Sequence, residues 1–192
     1  MNVRHLILDR DGVLNREAPD AGYILRPQDF HWLPGALEAL ALLHQAGVRL
    51  SVATNQSAVG RGLMDQAGLE SIHSHMRAEA QACGGPLSAV LYCPHAPQEN
   101  CDCRKPAPGL ILAAMRQSAV PAAQTLLVGD DVRDIEAARA AGVAAVLVRT
   151  GKGEQAQERL RASGVAILVY DSLLDLAHRL VDGESMNNFD FR

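Results

Sequence analysis

The chain has 192 residues, 48% of them hydrophobic and 21% charged, a composition that fits a folded globular protein and excludes disorder for most of its length. Lysine and arginine number 18 against 22 acidic residues, a formal charge of −4, and the aromatics are three Phe, three Tyr and one Trp, which is the wrong surface for a nucleic-acid binder. No stretch approaches the ~18 apolar residues that cross a bilayer, and Leu6-Ile7-Leu8 runs straight into Asp9-Arg10-Asp11 rather than on into a secretory signal. The cytoplasm is therefore the expected compartment, with neither nucleic acid nor membrane as a partner.

Short β-branched or leucine-rich runs alternate with alanine-rich amphipathic stretches, which predicts a doubly wound α/β fold: a parallel sheet with helices on both faces. The first strand is expected at 4–8. Pro34 opens the first helix near its N1 position and Gly47 closes it before a strand at 48–54. Asp65 starts the second helix, and the third strand is 88–92. Pro106-Ala107-Pro108 leads into a helix, with the fourth strand at 125–129. Asp131 starts the next helix, which Gly142 ends before a strand at 144–149. Gly164 ends another helix before a strand at 166–169, and Asp171 marks the last helix start.

Two connections are long, 15–33 and 93–108, and both follow the C-terminal end of a strand, where open α/β sheets place their sites. Residues 1–183 read as one domain with loop insertions only, because Asp11 and Thr54 stand too close in sequence for a large cap domain between them. Residues 184–192 read as a polar tail without a role.

Acidic residues gather at two strand ends. Side chains two apart on an extended chain share a face, so Asp9 and Asp11 are expected to point into one crevice while Arg10 points elsewhere, and Gly12 lets the backbone turn. Gly129-Asp130-Asp131 with Asp134 repeats the pattern at the fourth strand, on the same edge of a parallel sheet. A single Asp in such a place most often caps a helix or turns a loop. Five at two strand ends point to a cation, and oxygen-only ligands favour Mg²⁺ with phosphate. Thr54-Asn55 ends the second strand and Lys105 precedes a helix start, both suited to phosphate oxygens.

Cys93-Pro94-His95 and Cys101-Asp102-Cys103 supply three thiolates and an imidazole, the ligand set of a closed structural Zn²⁺ site rather than of a disulfide pair. Cys83 reads as an ordinary small residue. Arg104 and Lys105 follow the last ligand directly, so an ion here would order the loop that carries them.

The segments Asp9-Arg10-Asp11-Gly12-Val13-Leu14-Asn15, Thr54-Asn55-Gln56-Ser57, Arg104-Lys105-Pro106 and Gly129-Asp130-Asp131 with Asp134 resemble, in order, the four motifs of the haloacid dehalogenase superfamily. The resemblance implies a Rossmann-like phosphatase in which Asp9 attacks phosphorus, Asp11 serves as acid and base, and Thr54 and Lys105 stabilise the phosphoryl group. Mg²⁺ would be held by Asp9, the carbonyl of Asp11 and Asp130. The zinc loop is similar to that of members acting on small phosphorylated metabolites. It implies a heptose 1,7-bisphosphate losing its 7-phosphate in lipopolysaccharide precursor synthesis, with histidinol phosphate as the alternative substrate. Asp20, Ala21, Gly22, Tyr23, Thr54, Asn55, Gln56, Ser57, Arg104, Lys105 and Asp131 would contact this substrate, and Arg61 the loop or the distal phosphate. Asp131 stands where such enzymes often carry Lys, and Ala58 where Gly is common. A receiver-type phospho-acceptor domain is the alternative of a different class, and it does not need Asp11. A monomer is expected.

Overall fold

The computed structural model describes residues 2–19 and 22–183, so the tail at 184–192 and the expected substrate contacts Asp20 and Ala21 lie outside the described residues. Six strands, β1 (His5–Leu8), β2 (Arg49–Asn55), β3 (Ala89–Cys93), β4 (Thr125–Gly129), β5 (Ala144–Val148) and β6 (Leu168–Tyr170), pair in parallel in the order β3-β2-β1-β4-β5-β6. The helices between and after them are α1 (Ala36–Gln45), α2 (Gln66–Ala82), α3 (Gly109–Ser118), α4 (Val132–Ala140), α5 (Gly153–Ala162) and α6 (Leu173–Val181). This is the expected doubly wound architecture. Among the described residues no helix is long and apolar enough to cross a membrane.

Alternation along the strands builds two cores, which is why the strands read as nearly continuous apolar runs. Leu6, Leu8, Leu50, Val52, Leu126, Val128, Val146 and Val148 pack with Leu40 and Leu43 of α1, Met76 of α2 and Leu176 of α6. Ile7, Ala53, Leu127 and Leu147 face the other way, onto Ile111 of α3, Ala137 and Ala138 of α4 and Leu160 of α5. Chain order reverses between β1 and β4, and the crevice beyond their C-terminal ends is the switch point at which such sheets bind ligands. Register aligns Leu8 with both Val52 and Val128, and β2 and β4 run on past that level to Asn55 and Gly129, so Asp9, Thr54 and Asp130 all reach the same crevice.

Local boundaries follow caps. Asp65 and Asp131 cap α2 and α4 as expected, accepting from the Gly68 and Arg133 N–H groups. Two starts differ. Gly35, at φ 76°, caps α1, so the helix begins at Ala36 and Pro34 stands outside it; a Cβ on Gly35 would sit 2.7 Å from Leu174 on α6. Ser172, accepting from the Asp175 N–H, caps α6 in place of Asp171, whose carboxylate pairs with Arg149.

Candidate active site

The ends of β1, β2 and β4 and the loop after β3 surround a cleft of about 500 Å³. Of the expected site residues, Asp9, Asp11, Gly22, Tyr23, Thr54, Asn55, Gln56, Ser57, Arg104, Lys105, Asp130 and Asp131 all line it. Arg61 is exposed and lies outside that lining.

On one side, Asp9, Asp130 and Asp134 each place a carboxylate oxygen within 4.8 Å of the others. Lys105, buried, sets its Nζ 2.9 Å from Asp9 Oδ2 and 2.6 Å from Asp134 Oδ1. The other oxygen of Asp134 accepts from the Asp131 N–H, and Asp9 Oδ1 accepts from the Arg10 N–H at 2.7 Å. Backbone makes the room: Gly12 has φ 83°, and a Cβ there would lie 2.0 Å from Asp130 Oδ2. The loop after β5 closes the back of the pocket, with Thr150 Oγ1 donating to the Gly12 carbonyl and the Lys152 N–H donating to Asp130 Oδ2 at 2.8 Å.

This pocket is electrostatically incomplete. Burial, then the charges of Asp9 and Asp134, push the Asp130 carboxyl well above its ordinary range. Burial likewise raises Asp134 to about 6, with Lys105 opposing and Asp9 reinforcing the shift. Lys105 is held above its ordinary range because Asp134 and Asp9 outweigh its own burial. Three carboxylates against one ammonium leave an excess of negative charge on oxygen-only donors, which fits a hard divalent cation such as Mg²⁺.

Asp11 faces a different set of partners. Its Oδ1 accepts from Arg10 Nη2 at 2.9 Å and from Asn15 Nδ2 at 2.9 Å, and its Oδ2 from Gln56 Nε2 at 2.8 Å. Burial raises its pKa, but the Arg10 charge and the three donors outweigh it and leave Asp11 below the ordinary carboxylate value. Arg10 thus departs from the expectation that it points elsewhere: β1 ends at Leu8, strand alternation stops there, and the guanidinium turns back onto Asp11. Gln56 also donates to Thr54 Oγ1 at 2.9 Å. Asn55 spends both ends of its amide on the backbone of Lys105, donating to its carbonyl at 3.0 Å and accepting from its N–H at 3.1 Å. Asp131 combines its cap with a bidentate pair to Arg133, and Tyr23 Oη lies 3.5 Å from Ser57 Oγ.

Beside Lys105 the cysteine cluster closes. Sγ atoms of Cys93 and Cys101 are 3.5 Å apart and those of Cys101 and Cys103 3.4 Å, with His95 Nδ1 3.5 Å from Cys93 and 3.3 Å from Cys103. A disulfide needs about 2.05 Å. Zn–S bonds of about 2.3 Å in a tetrahedron put sulfurs roughly 3.7 Å apart, so these four donors fit Zn²⁺. Arg104 Nη1 donates to the His95 carbonyl at 3.2 Å, tying the cation to this loop.

Thr150 and Lys152 escaped the sequence reading, and Asn15 entered it only as the end of the first motif. Thr150 and Lys152 stand at the end of a fifth parallel strand, and a strand end next to β4 is the signal that places them.

A HAD-hydrolase-like family model matches residues 102–176. A D-glycero-β-D-manno-heptose-1,7-bisphosphate 7-phosphatase of Pseudomonas putida is 43% identical over 178 residues, covering 92% of this chain and 98% of the relative. The enzyme of the same name from Bordetella bronchiseptica is 44% identical over 78% of this chain and 83% of its own. Among solved structures, the B. bronchiseptica D,D-heptose 1,7-bisphosphate phosphatase complexed with magnesium and phosphate superposes with a TM-score of 0.86 at 40% identity, covering 94% of this chain and 99% of that one.

Proposed function

The chain belongs to the D-glycero-β-D-manno-heptose-1,7-bisphosphate 7-phosphatase family of HAD-like hydrolases, and on that premise we propose that it removes the 7-phosphate of this sugar bisphosphate in the supply of lipopolysaccharide core precursors. The observation that carries the reading is the division of labour in the cleft. Asp9 has one oxygen on Lys105 and one on a backbone N–H, while Asp11, two residues on, faces a separate set of donors. A receiver-type domain has no use for that second carboxylate.

Asp9 attacks phosphorus, forming an O–P bond as the bond to the sugar oxygen breaks, and Asp11, whose protonated form the incoming phosphate's negative charge favours against the pull of Arg10, gives that oxygen its proton. Asp11 then takes a proton from water as the water attacks the aspartyl-phosphate and frees Asp9. Lys105 and Thr54 hold the phosphoryl oxygens, Lys105 being fixed by Asn55, Asp9 and Asp134. Asp9 and Asp130, with the Asp11 carbonyl, would hold Mg²⁺, which supplies charge neutralisation for the transferred group. Cys93, His95, Cys101 and Cys103 would hold Zn²⁺, which fixes Arg104 over the cleft. Gly22, Tyr23, Ser57, Arg104 and Asp131 form the wall for the sugar and its distal phosphate. Reduced thiols in the zinc loop suit the cytoplasm.

The test compares phosphate release from heptose 1,7-bisphosphate and histidinol phosphate by kcat/KM. A preference of ~10²-fold for the bisphosphate, about 2.7 kcal/mol, is expected. A preference for histidinol phosphate overturns the substrate assignment.

A further inference from the structure

The Arg10 side chain is buried, at 1% exposure, although the residue also lines the cleft. Its Nε and Nη2 edge meets Asp11. Its remaining arm, Nη1, lies 3.2 Å from His73 Nε2, on a helix 63 positions later in the chain. A guanidinium only donates, so His73 Nε2 accepts, and the imidazole carries its proton on Nδ1. That Nδ1 is buried without a hydrogen-bond partner among the described residues. The ring packs on Tyr92, centroids 5.4 Å apart, and the Tyr92 hydroxyl accepts from Gln66 of α2. An unpaired buried N–H is a cost to folding that an apolar residue on the core face of α2 would avoid. The one thing His73 does that such a residue could not is accept from Arg10.

We propose that His73 is a positioning residue: by engaging Nη1 it fixes the plane of Arg10, and through Arg10 it holds the Asp11 carboxyl where the leaving oxygen of the substrate takes its proton. The proposal rests on the phosphatase reading. A guanidinium is a planar fork, so holding one arm sets the direction of the other edge. Asn15 and Gln56 hold the carboxylate from either side and carry no charge, so Arg10 is the charged donor on it among the described residues. The effect is therefore confined to proton delivery. Asp9 and Lys105, which act on phosphorus, touch neither His73 nor the Arg10 side chain.

The experiment compares His73→Leu, which removes the acceptor, with His73→Gln, which restores one, in the magnesium- and zinc-loaded protein. Single-turnover release of the leaving group is followed for heptose 1,7-bisphosphate and for 2,4-dinitrophenyl phosphate, whose phenolate leaves without a proton. His73→Leu is expected to slow cleavage of the sugar ester about tenfold or more at unchanged KM. Release of dinitrophenolate stays within about threefold of the parent, and His73→Gln recovers most of the loss on the sugar ester. Equal slowing of both esters, or a Gln variant no better than Leu, overturns the role of His73 and leaves the phosphatase reading intact. A parent protein that cleaves neither ester overturns that reading and the proposal with it.

Discussion

Two prospective metal centres lie side by side and are built in opposite ways. The acidic pocket draws Asp9, Asp130 and Asp134 from strand ends more than a hundred residues apart, and sheet register, glycine turns and Lys105 put them together. The cysteine cluster draws its donors from one short stretch, Cys93 at the end of β3 and His95, Cys101 and Cys103 in the loop that follows, tied by short contacts among the donors, by Arg104 and by backbone bonds such as the Gly60 N–H to the Pro94 carbonyl. The first site is preorganised by the fold and its repulsion waits for an ion; the second is a short segment whose crowded thiols a bound ion would tie together. Damage to the first should therefore cost chemistry with the fold intact, and damage to the second should cost local order and binding.

The sharpest break is Asp9→Asn. Loss of the proposed nucleophile is expected to lower kcat by ~10³-fold or more, with a Tm unchanged or raised in thermal unfolding, since a buried repulsion is relieved. A matching loss of stability would erase the distinction between the two regions. Gly12→Ala is next: a side chain at φ 83° driven against Asp130 should lower kcat about 10²-fold, and kinetics with circular dichroism check that the sheet survives. Cys101→Ser, or chelation of zinc, is expected to raise KM about tenfold through Arg104, with a smaller change in kcat; zinc analysis alongside the kinetics tests this. Arg104→Ala should reproduce the KM effect with zinc retained.

The smallest expected effect concerns pH. Asp130 lies well above, and Asp134 at about 6 against an ordinary 3.8. A folded-state value raised above the unfolded one gives stability that is present below about pH 4 and lost as pH rises through about 6. In metal-free protein this loss between pH 4 and pH 7 runs against the gain from His5 and His73, which burial lowers to about 4 and about 3, so the pocket is read from the ion-dependent part: Mg²⁺ should raise Tm more at pH 7 than at pH 4. Scanning calorimetry at both pH values, with and without the ion, measures the difference; a shift equal at both would contradict the electrostatic account of the pocket.

Much of this was readable beforehand for physical reasons. A parallel strand buried on both faces is a compact apolar run, and in β1 and β4 that run stops on Asp9 and on Gly129-Asp130, so the strands and their catalytic ends announce themselves together. The cysteine loop is local, and its spacing alone names its ligands. Arg10 was misplaced because alternation holds only while the strand lasts, and the turn at Gly12 begins at once. His73 shares a helix face with Leu69, Ile72 and Met76, where it reads as packing until its partner 63 residues upstream is seen. Asn55 and Gln56, read as substrate contacts, line the cleft, and their amides also hold Lys105 and Asp11, a role that only the structure reveals.

The account turns on Asp9 carrying the phosphoryl group while Asp11 stays free to move protons. Rapid acid quench of the magnesium-loaded protein with heptose 1,7-bisphosphate, followed by peptide mass spectrometry, tests this directly. One phosphoryl group on the peptide segment at Asp9, absent in Asp9→Asn, is the predicted result. Turnover with no phosphoryl adduct, or with the adduct on another residue, would contradict it.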